Sequence, residues 1–224
     1  MKLTVFNGSP RGMGSNTKIL MEHFLNGYSE TGGEGAKIEY LVRTQEHGKY
    51  AGMFRDSDTV ILAFPLYTDS MPGIVMAFIE ALAPFKGKCA GKKVGFIVQS
   101  GFPEAVHSSF IPMYLEKLCK RLGCGYLGTV IRGGVEGIQV MPPSMTKKLF
   151  AEFHALGAYF GKNTAFDPEV KARLANPFRF GIVMRFVLRL MGALGLMNFF
   201  WNMQLKQNKA FDKRFDKPFE KQGV

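Results

Sequence analysis

The sequence predicts an α/β chain built on a parallel sheet that is covered by helices on both faces. Three observations lead there. Short apolar runs alternate along the chain with stretches of helical spacing. Two of the runs, Asp58–Phe64 (DTVILAF) and Lys93–Gln99 (KVGFIVQ), are almost wholly apolar, as strands buried on both faces are. The first run ends in a loop rich in Gly, Ser and Arg that leads directly into a helical pattern.

Lys2–Phe6 is read as the first strand. Asn16–Tyr28 carries Ile19, Leu20, Phe24 and Leu25 at helical spacing. Thr31–Gly35 is a Gly-rich turn, and Lys37–Val42 alternates as a second strand. Asp58–Phe64 is the third strand, stopped at Pro65. Pro72–Leu82 reads as a helix with proline at its start. Lys93–Gln99 is the fourth strand. Glu104–Leu122 is a helix capped by Gly123, and Tyr126–Ile131 is the fifth strand. Ser144–Gly161 is a helix after Pro142-Pro143, and Asp167-Pro168-Glu169 starts another. In such sheets ligands bind beyond the carboxyl ends of the strands. The segments that matter are therefore Gly8–Thr17, Pro65–Pro72, Gln99–Glu104 and Arg132–Gln139.

A chain of 224 residues with 46% hydrophobic content can bury a full core. Its three cysteines, Cys89, Cys119 and Cys124, form no paired framework and no C-x-x-C. That excludes a disulfide scaffold and fits a reducing compartment. No metal site is expected, because His23, His47 and His154 are isolated and no metal-ligand spacing links them. Met1-Lys2 runs straight into a strand, so no secretory signal is expected and a cytoplasmic location is. The net charge is +11. Residues 1–163 hold 18 basic and 13 acidic side chains, and residues 164–224 hold 11 and 5. Over half the excess thus sits on the last quarter. It favours anionic partners without choosing among them.

The first loop, GSPRGMGSNT, ends where a helix exposes its free N–H groups, a ready site for phosphate. A mononucleotide P-loop would need G-x-x-x-x-G-K-[ST], and no placement of Gly8, Gly12 or Gly14 supplies the lysine. A dinucleotide fingerprint would need a third glycine where Thr17 stands, and an acid where Arg43 stands. The hydroxyl and amide side chains of Ser9, Ser15, Asn16 and Thr17, with Arg11, suit a terminal phosphate dianion.

This loop and PLYTDSMPG after the third strand together resemble the NAD(P)H-dependent FMN reductases with a flavodoxin-like fold, over residues 1–162. The resemblance implies a three-layer sandwich with strand order 2-1-3-4-5 and bound FMN. Ser9, Arg11, Ser15, Asn16 and Thr17 would hold its phosphate. Pro65, Leu66, Tyr67 and Met71 would lie along the ribityl chain and ring, and Ser100, Gly101 and Phe102 would approach the ring's other side. NAD(P)H would be the co-substrate, a quinone, flavin or similar small molecule the acceptor, and a homodimer the assembly. Thr68 stands where many relatives have Trp, and Met76 and Glu80-Ala81 where many have Lys and Asp-Arg. Residues 43–58 hold no cysteine, so the iron–sulfur cluster of some relatives is not expected. Hydride and electron chemistry belong to the cofactor, so no acid–base dyad is assigned, and His107 reads as a helix histidine beside Glu104. An FMN electron-transfer module without NAD(P)H turnover is the alternative.

Residues 163–224 are expected to form a basic, aromatic-rich helical extension. Within it, residues 177–203 are strongly apolar, with Arg179, Arg185 and Arg189 embedded. Leu190–Met203 gives only fourteen residues without a charge, short of the ~20 that a span requires. Packing on the domain or a second subunit is the favoured reading, and peripheral membrane contact through residues 177–203 the other. Basic residues interleaved with aliphatics do not form a nucleic-acid surface. Phe211, Phe215 and Phe219 recur at spacing four.

Overall fold

In the computed structural model, residues 2–33 and 35–217 are described; Phe219 lies outside them. Five strands, β1 (Leu3–Asn7), β2 (Ile38–Tyr40), β3 (Thr59–Pro65), β4 (Lys93–Gln99) and β5 (Gly125–Arg132), form one sheet in the order β2-β1-β3-β4-β5. All neighbours are parallel, with Val5 beside Ile61, Ile61 beside Gly95, and Ile97 beside Val130. The expected order 2-1-3-4-5 is found.

The helices are α1 (Asn16–Glu30), α2 (His47–Arg55), α3 (Gly73–Ala81), α4 (Ile111–Leu122), α5 (Pro143–Asn163) and α6 (Pro168–Leu174). The strand period of two sends alternate residues to opposite faces. Val60, Leu62 and Phe64 join Phe6, Phe96 and Val98 in a core under α2, α3 and α4. Ile61 and Ala63 join Leu3, Val5 and Ile97 under α1, α5 and α6. This is why β3 reads as an unbroken apolar run.

α1 and α5 meet backbone to backbone. A Cβ at Gly27 would overlap the His154 carbonyl oxygen, and one at Gly157 would overlap that of Phe24. Phe24, Tyr28, Phe153 and Phe160 fill the space beside the crossing. Gly95 does similar service in the sheet. A Cβ there would stand 2.8 Å from the Phe166 ring. The missing side chain lets Phe166, beyond the end of α5, lie against the strands.

That contact moves the expected boundary. Phe166, Val170 and Leu174 are buried in the second core, and the compact unit runs Met1–Arg179 rather than ending at residue 162. Asp167 caps α6 as expected, accepting from the Glu169 and Val170 amides at 2.8 and 3.3 Å. The remaining unit, Phe180–Val224, contains α7 (Ile182–Ala193) and α8 (Phe199–Gln207).

Three other expectations shift. α2 has no counterpart in the sequence reading, because Gly48 and Gly52 weaken its helical signal; burial of Tyr50, Ala51 and Phe54 holds it. The expected helix at Glu104 begins only at Ile111, after a single 3-10 turn at Ala105–Ser108. There the Ala105 and Val106 amides donate to the Pro177 and Phe178 carbonyls, both at 3.0 Å, so the chain after α6 straps this loop. β2 is also shorter than the expected Lys37–Val42.

Candidate functional site

The first loop is shaped by its own polar groups. Asn7, the last residue of β1, accepts from the Ser9 amide at 2.9 Å and donates to Ser15 Oγ at 3.0 Å. Ser15 Oγ donates to the Gly12 carbonyl at 2.6 Å and accepts from the Lys18 amide at 3.1 Å. Ser15 is thus the N-cap of α1, and its hydroxyl is fully committed inside the loop. Gly12 takes a positive φ of 53° to make the turn.

Asn16 is likewise occupied. Its amide donates to the Val135 and Glu136 carbonyls at 2.7 and 3.2 Å and accepts from Gln139 Nε2 at 2.7 Å. Gln139 also donates to the Gly14 carbonyl at 3.0 Å. Arg11 Nη1 reaches Glu136 Oε1 at 3.4 Å. The β5–α5 loop is therefore tied across the first loop by Asn16, Gln139 and Arg11.

Groups suited to a phosphate remain. The first-turn amides of Asn16 and Thr17 have no intrahelical carbonyl to meet. Ser9 Oγ accepts from the Arg11 amide at 3.3 Å, and Thr17 Oγ1 accepts from Gln99 Nε2 at 3.3 Å. Each hydroxyl keeps its own O–H to donate. Positive charge comes from Arg11 and the N-terminal end of the α1 dipole.

Beside this loop lies a cleft lined by Ser9, Arg11, Asn16, Pro65, Leu66, Tyr67, Gln99, Ser100, Gly101 and Glu136. Eight of these ten were singled out from the sequence; Gln99 and Glu136 fall within the strand-end segments flagged there. The cleft sits at the carboxyl ends of β1, β3 and β4, where open α/β sheets place ligands. Its Pro65–Tyr67 wall leads into a two-residue hairpin turn. Tyr67 and Ser70 exchange amide–carbonyl bonds at 2.8 and 3.1 Å, with Thr68 at φ 49° and Asp69 at φ 62°. Two successive left-handed residues without glycine, one of them β-branched, store strain beside the cleft.

Four of the sequence-selected residues are not in the lining. Ser15 and Thr17 lie behind it at the start of α1. Met71 is packed in the core with Phe64 and Val75. Phe102 is exposed on the β4–α4 loop, its ring 4.6 Å from that of His107. His107 Nε2 stands 3.9 Å from Glu104, as a surface helix-turn histidine does. Most wall amides are spent: Leu66 donates to Gln99, Tyr67 to Ser70 and Ser100 to Arg132. Among the described residues, the Gly101 amide meets no backbone acceptor.

A second cleft is formed by β5, α5 and α6 and holds Arg132, Lys148, Glu152 and Arg173. Arg173 is forked onto Glu152 at 2.9–3.1 Å. Burial presses the Arg132 guanidinium below its ordinary pKa, and its Nε meets no partner. No group of three potential metal ligands occurs among the described residues.

The comparisons follow the same lines. No curated protein sequence matches the chain. Among solved structures, it is similar to an NADPH-quinone reductase from P. pentosaceus, with a TM-score of 0.55 and 17% identity over 69% of this chain and 96% of that one. It is similar to an FMN-dependent NADH-azoreductase from Bacillus anthracis in complex with FMN, with a TM-score of 0.53 and 17% identity over 79% and 100%. An NAD(P)H:quinone oxidoreductase from Methanothermobacter marburgensis gives 0.56 and 14% over 70% and 98%. Residues 1–155 match the family described as having the flavodoxin-like fold. With the 2-1-3-4-5 sheet, the phosphate-suited loop after β1 and this match over most of its length, the chain belongs to the flavodoxin-like fold family.

Proposed function

We propose that this protein is an FMN-dependent NAD(P)H oxidoreductase that reduces a small acceptor of the quinone, flavin or azo class. The observation that carries the reading is the cleft that joins the Ser9–Thr17 loop to the Pro65–Tyr67 wall and the Ser100-Gly101 end of β4. Names of structural neighbours, which include quinone and azo reductases, support the same reading.

The residues present fit FMN. Ser9 and Thr17 hydroxyls, the first-turn amides of α1 and Arg11 would hold its phosphate. Ser15 and Asn16 act by shaping the loop, through the α1 cap and the tie to the β5–α5 loop. Pro65, Leu66 and Tyr67 offer an apolar wall for the ring, and Gly101 an amide for its polar edge. When bound, FMN would supply hydride acceptance and the delivery of electrons. The chain's own role is to bind, orient and shield.

Protein purified without added cofactor should be yellow or turn yellow on reconstitution with FMN. NADH or NADPH should then bleach the flavin in stopped-flow measurements, and a quinone should restore the colour. Flavin that binds but does not bleach would favour the electron-transfer module. No flavin binding would overturn both readings. Homodimer assembly belongs to the same proposal and is read by sedimentation velocity.

A further inference from the structure

We propose that residues 182–217 dock on an anionic lipid surface, lying along it rather than through it. The basis is the pattern of side chains on α7, with the exposed apolar and basic residues that follow it. At about 100° per residue, Phe186, Leu190, Val183, Val187, Met191 and Met184 of α7 occupy one broad arc. Arg185 and Arg189 share the narrow opposite stripe. The apolar arc is open to solvent: Phe186 is 65% exposed, and Val183 and Leu190 are also exposed. Beyond α7, Leu196 in the 3-10 turn Leu196–Asn198 and Phe199 and Trp201 of α8 are also exposed.

Length and charge argue against a span. α7 has 12 residues, which at ~1.5 Å each is far short of a hydrocarbon core ~30 Å thick. Among the described residues, no single helix is long and apolar enough to cross a membrane. The segments Ile182–Ala193 and Leu196–Gln207 meet at 80°, with Gly195 in the left-handed conformation at the break. Threaded through a bilayer, Arg185 and Arg189 would enter hydrocarbon. Laid flat, the apolar arc sinks to the acyl boundary while both arginines reach headgroups.

The sign of the remaining charge selects the lipid. Lys206, Lys209, Lys213 and Arg214 follow the apolar stretch, against Asp212 and Asp216. Arg214 and Lys206 stand over the Phe211 ring at 3.9 and 4.9 Å, which groups cations with an aromatic ring. An anionic leaflet complements such a segment. A second copy seated on the same face would bring like charges together.

The test uses the full chain and needs no flavin, so it stands or falls apart from the proposed activity. Trp201 is the chain's single tryptophan and reports from within the segment. Vesicles of phosphatidylcholine with phosphatidylglycerol should pellet the protein and move Trp201 emission to shorter wavelength. Pure phosphatidylcholine, or high salt, should weaken binding by about tenfold or more. Arg185→Glu with Arg189→Glu should cost a similar factor, and Phe186→Asp with Leu190→Asp should remove binding. Absence of binding to the anionic vesicles would overturn the proposal. Equal binding to both vesicle types at every salt concentration would overturn the anionic assignment. Conversion of a dimer to a monomer by Phe186→Asp with Leu190→Asp, without vesicle binding by the parent, would assign the face to a second copy instead.

Discussion

Ser15 and Thr17 stand two positions apart in one loop and carry different loads. Ser15 Oγ holds together Asn7, Gly12 and Lys18, whereas Thr17 has one internal bond, to Gln99. Ser15→Ala should therefore lower unfolding stability by about 1 kcal/mol through loss of the cap. Thr17→Ala should cost stability only through its one bond to Gln99 and, unlike Ser15→Ala, should weaken FMN binding directly, by roughly tenfold, about 1.4 kcal/mol. Chemical denaturation and flavin-fluorescence titration measure the two effects. If both substitutions act equally on both readouts, this division of roles is wrong. The sequence offered the two hydroxyls as equivalents, because residue type does not tell which lone pairs the fold has already engaged.

His23 gives a residue-scale dependence on pH. Its ring stacks on Phe150 at 4.2 Å, and burial holds its pKa below the ordinary 6.5. Between the lowered folded value and 6.5, the unfolded chain binds the proton and the folded chain does not. Stability contributed by this site therefore rises with pH through that window and falls on acidification. His23→Phe keeps the stack and removes the titration. Urea midpoints taken across the window should flatten in the variant; an unchanged slope would exclude His23 as its source.

At the scale of elements, the α1–α5 crossing is set by glycines. Gly27 and Gly157 let the two helices touch through backbone atoms, and neither position has room for a methyl group. Gly157→Ala gains helix propensity of up to about 1 kcal/mol. It must also push the packed helices apart, which costs about 1–3 kcal/mol or more. The expected net is destabilisation, read as a lower thermal midpoint; an unchanged or higher midpoint would show that the crossing yields. Strands β1, β3 and β4 were legible because each is buried on both faces and so reads as an apolar run. α2 was not, since its two glycines hide a helix that tertiary packing supports. The late start of α4 depends on the Pro177–Phe178 strap, a contact more than seventy residues away.

At the scale of the molecule, the two compact units divide at Arg179. A chain ending there should keep the melting behaviour of the first unit. A chain ending at Lys162 would lose Phe166, Val170 and Leu174. At about 1.5–3 kcal/mol for each buried side chain, that loss is comparable to a domain's whole stability. Calorimetry on the two chains tests the boundary, and equal melting of both would return it to residue 162.

Local sequence carries the alternation of strands and helices, the loop after β1 and the wall after β3, while the strand order came with the family resemblance. The first three are written locally, as apolar runs, turn residues and a helix start. Long-range packing settles which of the loop's polar groups are free. It sent Ser15 to the cap and Asn16 to the β5–α5 loop, set Met71 in the core, and brought Gln99 and Glu136 to the cleft. The physical reason is that hydrogen bonds and burial are satisfied between segments far apart in the chain. A side chain's availability is what remains after those partners have been met.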